Sequence, residues 1–170
     1  MESGCWYALY CLRFSSDAKS IWTGSCDRTI QVWNISRSTY RQCFTLRNES
    51  AVHSLDVSSS DNTLSNTMAV SGHLDGGIRF WDSRSSSGSN SSSKSAKPLE
   101  SIFPTTVREC ITSVMLNTSG TQLLSCSRDF WTLLDLRHAK RAISTVATIS
   151  HPKMKPSTTS TAFFFNYRFL

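Results

Sequence analysis

The stretch SGHLDGGIRFWDS, Ser71 to Ser83, decides how this chain folds. Small residues end one strand, Asp75-Gly76-Gly77 makes a turn, and an alternating run from Ile78 closes on Trp81-Asp82. A carboxylate at such a turn accepts backbone N–H bonds and holds a tight reversal. An alternating run bounded by turn residues reads as a half-buried strand. Upstream, TGSCDRTIQVWNI from Thr23 to Ile35 follows the same plan, and downstream SCSRDFWTLLDLR from Ser125 to Arg137 follows it again. Asp27 and Asp75 stand 48 positions apart, and Asp75 and Asp129 stand 54 apart. Self-similarity at this spacing marks one supersecondary unit used three times.

A Trp-Asp close on a period of about 40–45 residues is the mark of WD40 units, and both spacings here are slightly longer. A serine-rich insertion at 83–97 accounts for the second excess, since its composition cannot pack a core. An expanded loop around Ser58 to Asn66 accounts for the first. Alternation predicts strands over Tyr7–Phe14, Ser20–Ser25, Thr29–Asn34 and Arg41–Leu46 in the first unit. The second unit gives Val52–Val57, Met68–Gly72, Ile78–Asp82 and Leu99–Phe103. The third gives Ile111–Asn117, Gln122–Cys126, Thr132–Leu136 and Ala142–Ala147. Four antiparallel strands per unit make a propeller blade. The expected fold is therefore all-β, a partial WD40 β-propeller of about three blades within 1–149, at about 5–47, 51–104 and 108–149, that does not close a ring. Residues 150–170 lack the strand–turn rhythm and are read as an atypical tail, the mark of a truncated product or a gene-model artefact.

Asp27, Asp75 and Asp129 are expected to be structural residues of the turns, and Trp33 and Trp81 to be core residues that bury apolar area between blades. In the third unit Leu134-Asp135 stands where the other two carry Trp-Asp or its equivalent, once a one-residue gap restores the register. Trp131 then falls at the blade entrance or on the surface. No Gly-His pair precedes a first strand, and His73 lies beside Asp75 instead. The hydrogen-bonded tetrad of such units is thus expected to be incomplete in every blade.

The net charge is +6, but its basic residues are scattered apart from the tail and Arg137 to Arg141, which reads as a mildly basic solvated face. No nucleic-acid binding is expected, because the aromatics that could stack bases fall mostly on strand positions a blade buries; a basic nucleic-acid-binding module is the alternative from that class. The six cysteines are spread singly, with no CxxC pair and no cysteine-histidine cluster, so neither a metal nor another cofactor is expected. The start of the chain lacks a basic segment followed by an apolar core, and no apolar run nears the roughly 20 residues that span a bilayer. No GxSxG elbow, HExxH helix, Walker loop or GxGxxG turn occurs. The reading is a non-catalytic protein-interaction module, whose loops dock partners on a rigid frame.

The string VSGHLDGGIRFWDSRS, Val70 to Ser85, resembles the middle of the WD40 domain of the autophagy-related 16-like proteins. LLSCSRD from Leu123 and LLDLR from Leu133 add to the resemblance, with an aliphatic residue in place of the WD tryptophan. The resemblance implies three central blades of a seven-bladed ring and a scaffold that recruits the ubiquitin-like lipidation machinery to membranes in autophagosome formation. It implies protein partners, namely autophagy conjugation or membrane-receptor components, with membrane association only through them. The location implied is cytoplasmic, at the autophagosome-forming membrane. A generic WD40 adaptor, such as a ubiquitin-ligase substrate receptor or a chromatin corepressor, is the alternative. Arg28, Arg37, His73, Arg79, Arg84 and Arg128 are the candidate polar handles for a partner. Self-association through open blade edges is a further expectation.

Overall fold

A computed structural model describes residues 8–15, 18–35, 40–58, 68–82, 98–104, 108–137 and 144–150. Twelve strands among them form three four-stranded antiparallel sheets, each in sequence order. The first blade holds β1 (Leu9–Phe14), β2 (Ser20–Ser25), β3 (Thr29–Asn34) and β4 (Arg41–Arg47). The second holds β5 (Val52–Val57), β6 (Met68–His73), β7 (Ile78–Asp82) and β8 (Glu100–Ile102). The third holds β9 (Ser113–Leu116), β10 (Gln122–Cys126), β11 (Phe130–Asp135) and β12 (Ser144–Ser150). The fold is all-β, and the three sheets stack without closing on themselves. The serine-rich insertion, all of the tail beyond residue 150, and Arg37 and Arg84 lie outside the described residues.

Alternation explains the stack. Because successive side chains leave opposite faces of a strand, each middle blade must be apolar on both faces, and blade two is. Leu55, Ala69 and Trp81 face blade one, where they bury against Trp22, Ile30, Val32 and Leu46. Val70, Ile78 and Phe80 face blade three, where they bury against Val114, Leu116, Leu123 and Leu134. The first strand of each blade makes much of this junction, with β5 lying against β1 and β2, and β9 against β5 and β6. Two glycines let the sheets come close. A Cβ at Gly24 would meet the Val52 side chain at 2.6 Å, and one at Gly72 would meet Ile111 at 2.5 Å.

Asp56 clasps all three blades. From β5 its Oδ2 accepts the Leu116 N–H at 2.7 Å, and its Oδ1 lies 3.5 Å from Arg13 Nε on β1.

The two WD tryptophans part company. Trp81 is buried, but Trp33, at the same register position one blade earlier, is only half-buried, because blade one has no described sheet on that face. The large core side chain of blade one is Trp22, which meets Phe44 edge to face with ring centroids 5.8 Å apart.

Candidate functional site

The turns between the second and third strands of all three blades lie at one end of the stack, stitched to the segments that lead into β5 and β9. Asn48 N–H donates to the Arg28 carbonyl at 2.8 Å, Leu74 N–H to Ala51 at 3.1 Å, and Ile111 N–H to His73 at 3.0 Å. Asp75 N–H donates to Ser50 Oγ at 3.1 Å, and Ser127 Oγ to Glu109 at 3.3 Å. Loops fixed in this way present side chains from a rigid frame.

The turn aspartates hold unequal positions. Asp27 Oδ1 accepts from Thr29 N–H at 2.9 Å and from Thr29 Oγ1 at 2.7 Å. Asp75 accepts from Gly77 N–H at 3.0 Å and pairs with Arg79 Nη2 at 2.6 Å. Partial burial works against its charge, yet the Arg79 guanidinium and the Gly77 N–H hold Asp75 below the usual carboxylate range. The shorter turn of blade three is closed by Ser127 rather than by Asp129: Ser127 N–H donates to the Phe130 carbonyl at 2.7 Å, and Ser127 Oγ accepts the Phe130 N–H at 3.2 Å. A hydroxyl one strand-end earlier fits a reversal that is one residue shorter. Asp135, at the far end of β11, pairs with Arg137 at 2.6 Å.

Blade two contains a continuous buried relay. Trp81 Nε1–H donates to Ser71 Oγ at 2.8 Å, and Ser71 Oγ lies 2.7 Å from His73 Nε2. His73 Nδ1 lies 3.2 Å from the Ser50 carbonyl. A carbonyl only accepts, so Nδ1 carries the proton and Nε2 accepts the Ser71 hydroxyl hydrogen. Burial and the Arg79 charge push His73 down to about 4, so the ring is neutral at neutral pH. Blade two thus holds three members of such a network, with the Ser50 carbonyl in place of an aspartate, and its histidine comes from the end of β6 and not from a Gly-His pair ahead of β5.

His73 and Arg79 accordingly do not stand as partner handles. Both are buried, one in the relay and one against Asp75. Arg28 and Arg128 are exposed at the turn end, Arg28 at a left-handed φ of 68°. Sequence reasoning missed the aromatic part of this end. Tyr10 stacks on His53, with centroids 4.5 Å apart and planes 20° apart, and the Arg108 guanidinium sits 4.5 Å over the Phe103 ring. Tyr10, Phe103, Leu74 and Trp131 are all exposed. Tyr10 and His53 occupy matching places, each the residue skipped at a register shift near the start of its blade's first strand. Such a bulge re-aims a side chain away from the sheet face.

Burial pushes the Cys11 and Cys110 thiols up to about 11, so they are protonated and poor nucleophiles at neutral pH. Among the described residues no group of three His, Cys, Asp or Glu side chains is placed to hold a metal ion. No described helix is long and apolar enough to cross a membrane.

Comparison with known proteins agrees with this architecture. The family model described as WD domain, G-beta repeat matches residues 3–34 and 40–82, within the first two blades. Among solved structures, the chain is similar to the crystal structure of RRP9 WD40 repeats, with a TM-score of 0.65 and 18% identity over 89% of this chain and 41% of that one. It is similar to the structure of U3-55K at the same TM-score and identity, over 89% of this chain and 42% of that one. The chain thus spans about two-fifths of the length of these structures. No curated protein sequence matches it. At this identity the likeness speaks for the fold.

Proposed function

We propose that this WD40 repeat protein is a non-catalytic interaction scaffold that docks protein partners on the end bearing Tyr10, His53, Phe103 and Arg108. The observation that carries the reading is the pair of ring contacts held there, Tyr10 on His53 and Arg108 on Phe103. Aromatic and arginine side chains dominate binding energy at protein interfaces, and here they are fixed by a bulge and a cation contact before any partner arrives. The fold supports the same role, since rigid blades with loops gathered at one end present a surface without needing chemistry.

The finer proposal is the partner set. The strings from Val70 to Ser85, Leu123 to Asp129 and Leu133 to Arg137 favour the recruitment role of the autophagy-related 16-like proteins, with conjugation or membrane-receptor components as partners and a cytoplasmic location at the autophagosome-forming membrane. This rests on those residues alone. Co-precipitation with the ubiquitin-like lipidation machinery tests it, comparing the native chain with a Tyr10→Ser/Phe103→Ser variant. Recovery by the native chain and a loss of at least about tenfold in the variant is the expected result, the size of one or two interface hot spots. Equal recovery by both removes the docking end, and no recovery by either removes the autophagy assignment.

A further inference from the structure

Blade two sits on blade one through two cross-strand rows, Leu55–Ser71–Arg79 and Val57–Ala69–Trp81. Blade one carries the same rows one repeat earlier, Leu12–Thr23–Gln31 and Phe14–Ile21–Trp33. The apolar positions match, yet Leu55 is 1% exposed and its counterpart Leu12 is 55% exposed. Ahead of these rows, Val52 and Ile111 plug over Gly24 and Gly72 of the preceding blade and are buried, while their counterpart Leu9 is 63% exposed. Blade one therefore shows the inserting face of a blade with nothing described beneath it.

The far side of the stack shows the receiving face. Leu124 and Leu133 occupy the register positions of Val70 and Phe80, and Trp131 occupies that of Ile78. Val70, Phe80 and Ile78 are buried by blade three, whereas Leu124 and Leu133 are only half-buried and Trp131 is exposed. The chain thus holds both halves of a junction that it already makes twice internally.

We infer that the blade-one face of one copy of this chain docks on the blade-three face of a second copy, and the reverse, to close a six-bladed ring. A head-to-tail contact gives a closed ring when its rotation closes. Propellers typically have about 4–8 blades, so two copies of three blades fall within the range and three copies do not. The chain spans 41% and 42% of the solved structures it resembles, so each is more than twice as long as the part it matches. The inference is independent of which partner the turn end binds.

One departure in the repeat supplies a direct test. Cys126 stands at the place of Gly24 and Gly72, so Leu9 of one copy would face Cys126 of the other. At the two internal junctions, a Cβ built on the glycine lies 3.2 Å from Val52 Cβ and 3.0 Å from Ile111 Cβ. Those spacings lie a few tenths of an ångström below the roughly 3.5–4.5 Å Cβ separation of a disulfide, so a junction that carries Cys126 in place of the glycine must stand slightly wider than the internal two, which brings Leu9→Cys into disulfide reach. In light scattering the full chain should have twice its 19.0 kDa mass, and Trp33→Glu should halve that mass with an unchanged far-ultraviolet circular dichroism spectrum. Independently of that variant, Leu9→Cys treated with diamide, which takes up the two electrons and two protons of the thiol pair, should give a covalent dimer that vanishes in Leu9→Cys/Cys126→Ser. A monodisperse species of 19.0 kDa, a ladder of larger species, or a crosslink that survives Cys126→Ser would each overturn the inference.

Discussion

Ser71 Oγ accepts the Trp81 indole N–H at 2.8 Å and gives its own hydrogen to His73, so one buried hydroxyl joins an indole on β7 to an imidazole on β6. Trp81 also forms part of the junction with blade one. The relay thereby ties the inside of one blade to its contact with the next.

Ser71→Ala strands both the indole N–H and the imidazole Nε2. An orphaned buried polar group costs about 1–3 kcal/mol, so the variant should lose about 2–4 kcal/mol and melt about 4–15 °C lower for a chain of this size. Thermal unfolding followed by circular dichroism checks this, and an unchanged Tm would mean that the relay carries no stability.

His73 makes the fold acid-sensitive. Its folded-state value, pushed down to about 4, lies below the ordinary 6.5, so the folded state prefers the neutral ring. The stability this gives is full above pH 6.5 and is lost as pH falls toward 4, amounting to about 3 kcal/mol at the limit. His73→Gln should flatten the fall in denaturant midpoint between pH 6.5 and 4, and an equally steep fall in the variant would assign it to another group.

Asp56 has the opposite sign. Burial pushes its carboxyl up, against the Leu116 N–H and Arg13. The folded state therefore holds the proton more firmly than the unfolded chain, and the contribution of this group is full below 3.8 and declines as pH rises through its folded-state value. Asp56→Asn keeps a carbonyl oxygen for the Leu116 N–H without the buried charge. Its Tm relative to the native chain should rise from pH 3.5 to pH 7, and a parallel course of the two curves would contradict this.

Gly72→Ala places a methyl group against Ile111 and Ser54 at the junction of blades two and three. Both neighbours are buried in a packed seam, so overpacking should cost about 1–3 kcal/mol. Urea unfolding measures it, and a neutral result would mean that the seam yields without cost.

Most strand positions were legible because alternation and turn residues recur three times, and the register of the third blade followed from one gap, which sets Leu134 opposite Leu123. Burial of the tryptophans was not legible. Trp33 and Trp81 share a motif and a register, and only the sheet lying over each decides which is core. The relay was legible in part, since Ser71 and His73, two apart on one strand, must share a face. It was missed because the histidine was sought ahead of the first strand. The Tyr10 and His53 positions depend on bulges, which are set by pairing with a neighbouring strand and leave no mark in local alternation.

Partners are proposed to dock on the turn end of the stack. Hydrogen exchange read by mass spectrometry, on the chain alone and on the chain bound to a partner recovered by co-precipitation, tests it most directly. Docking there slows exchange over residues 8–12, 48–54 and 108–112, where the stitched turn-end segments lie. Protection confined to Asn117–Gly120 and the other connections at the opposite end, with those segments unchanged, would contradict it.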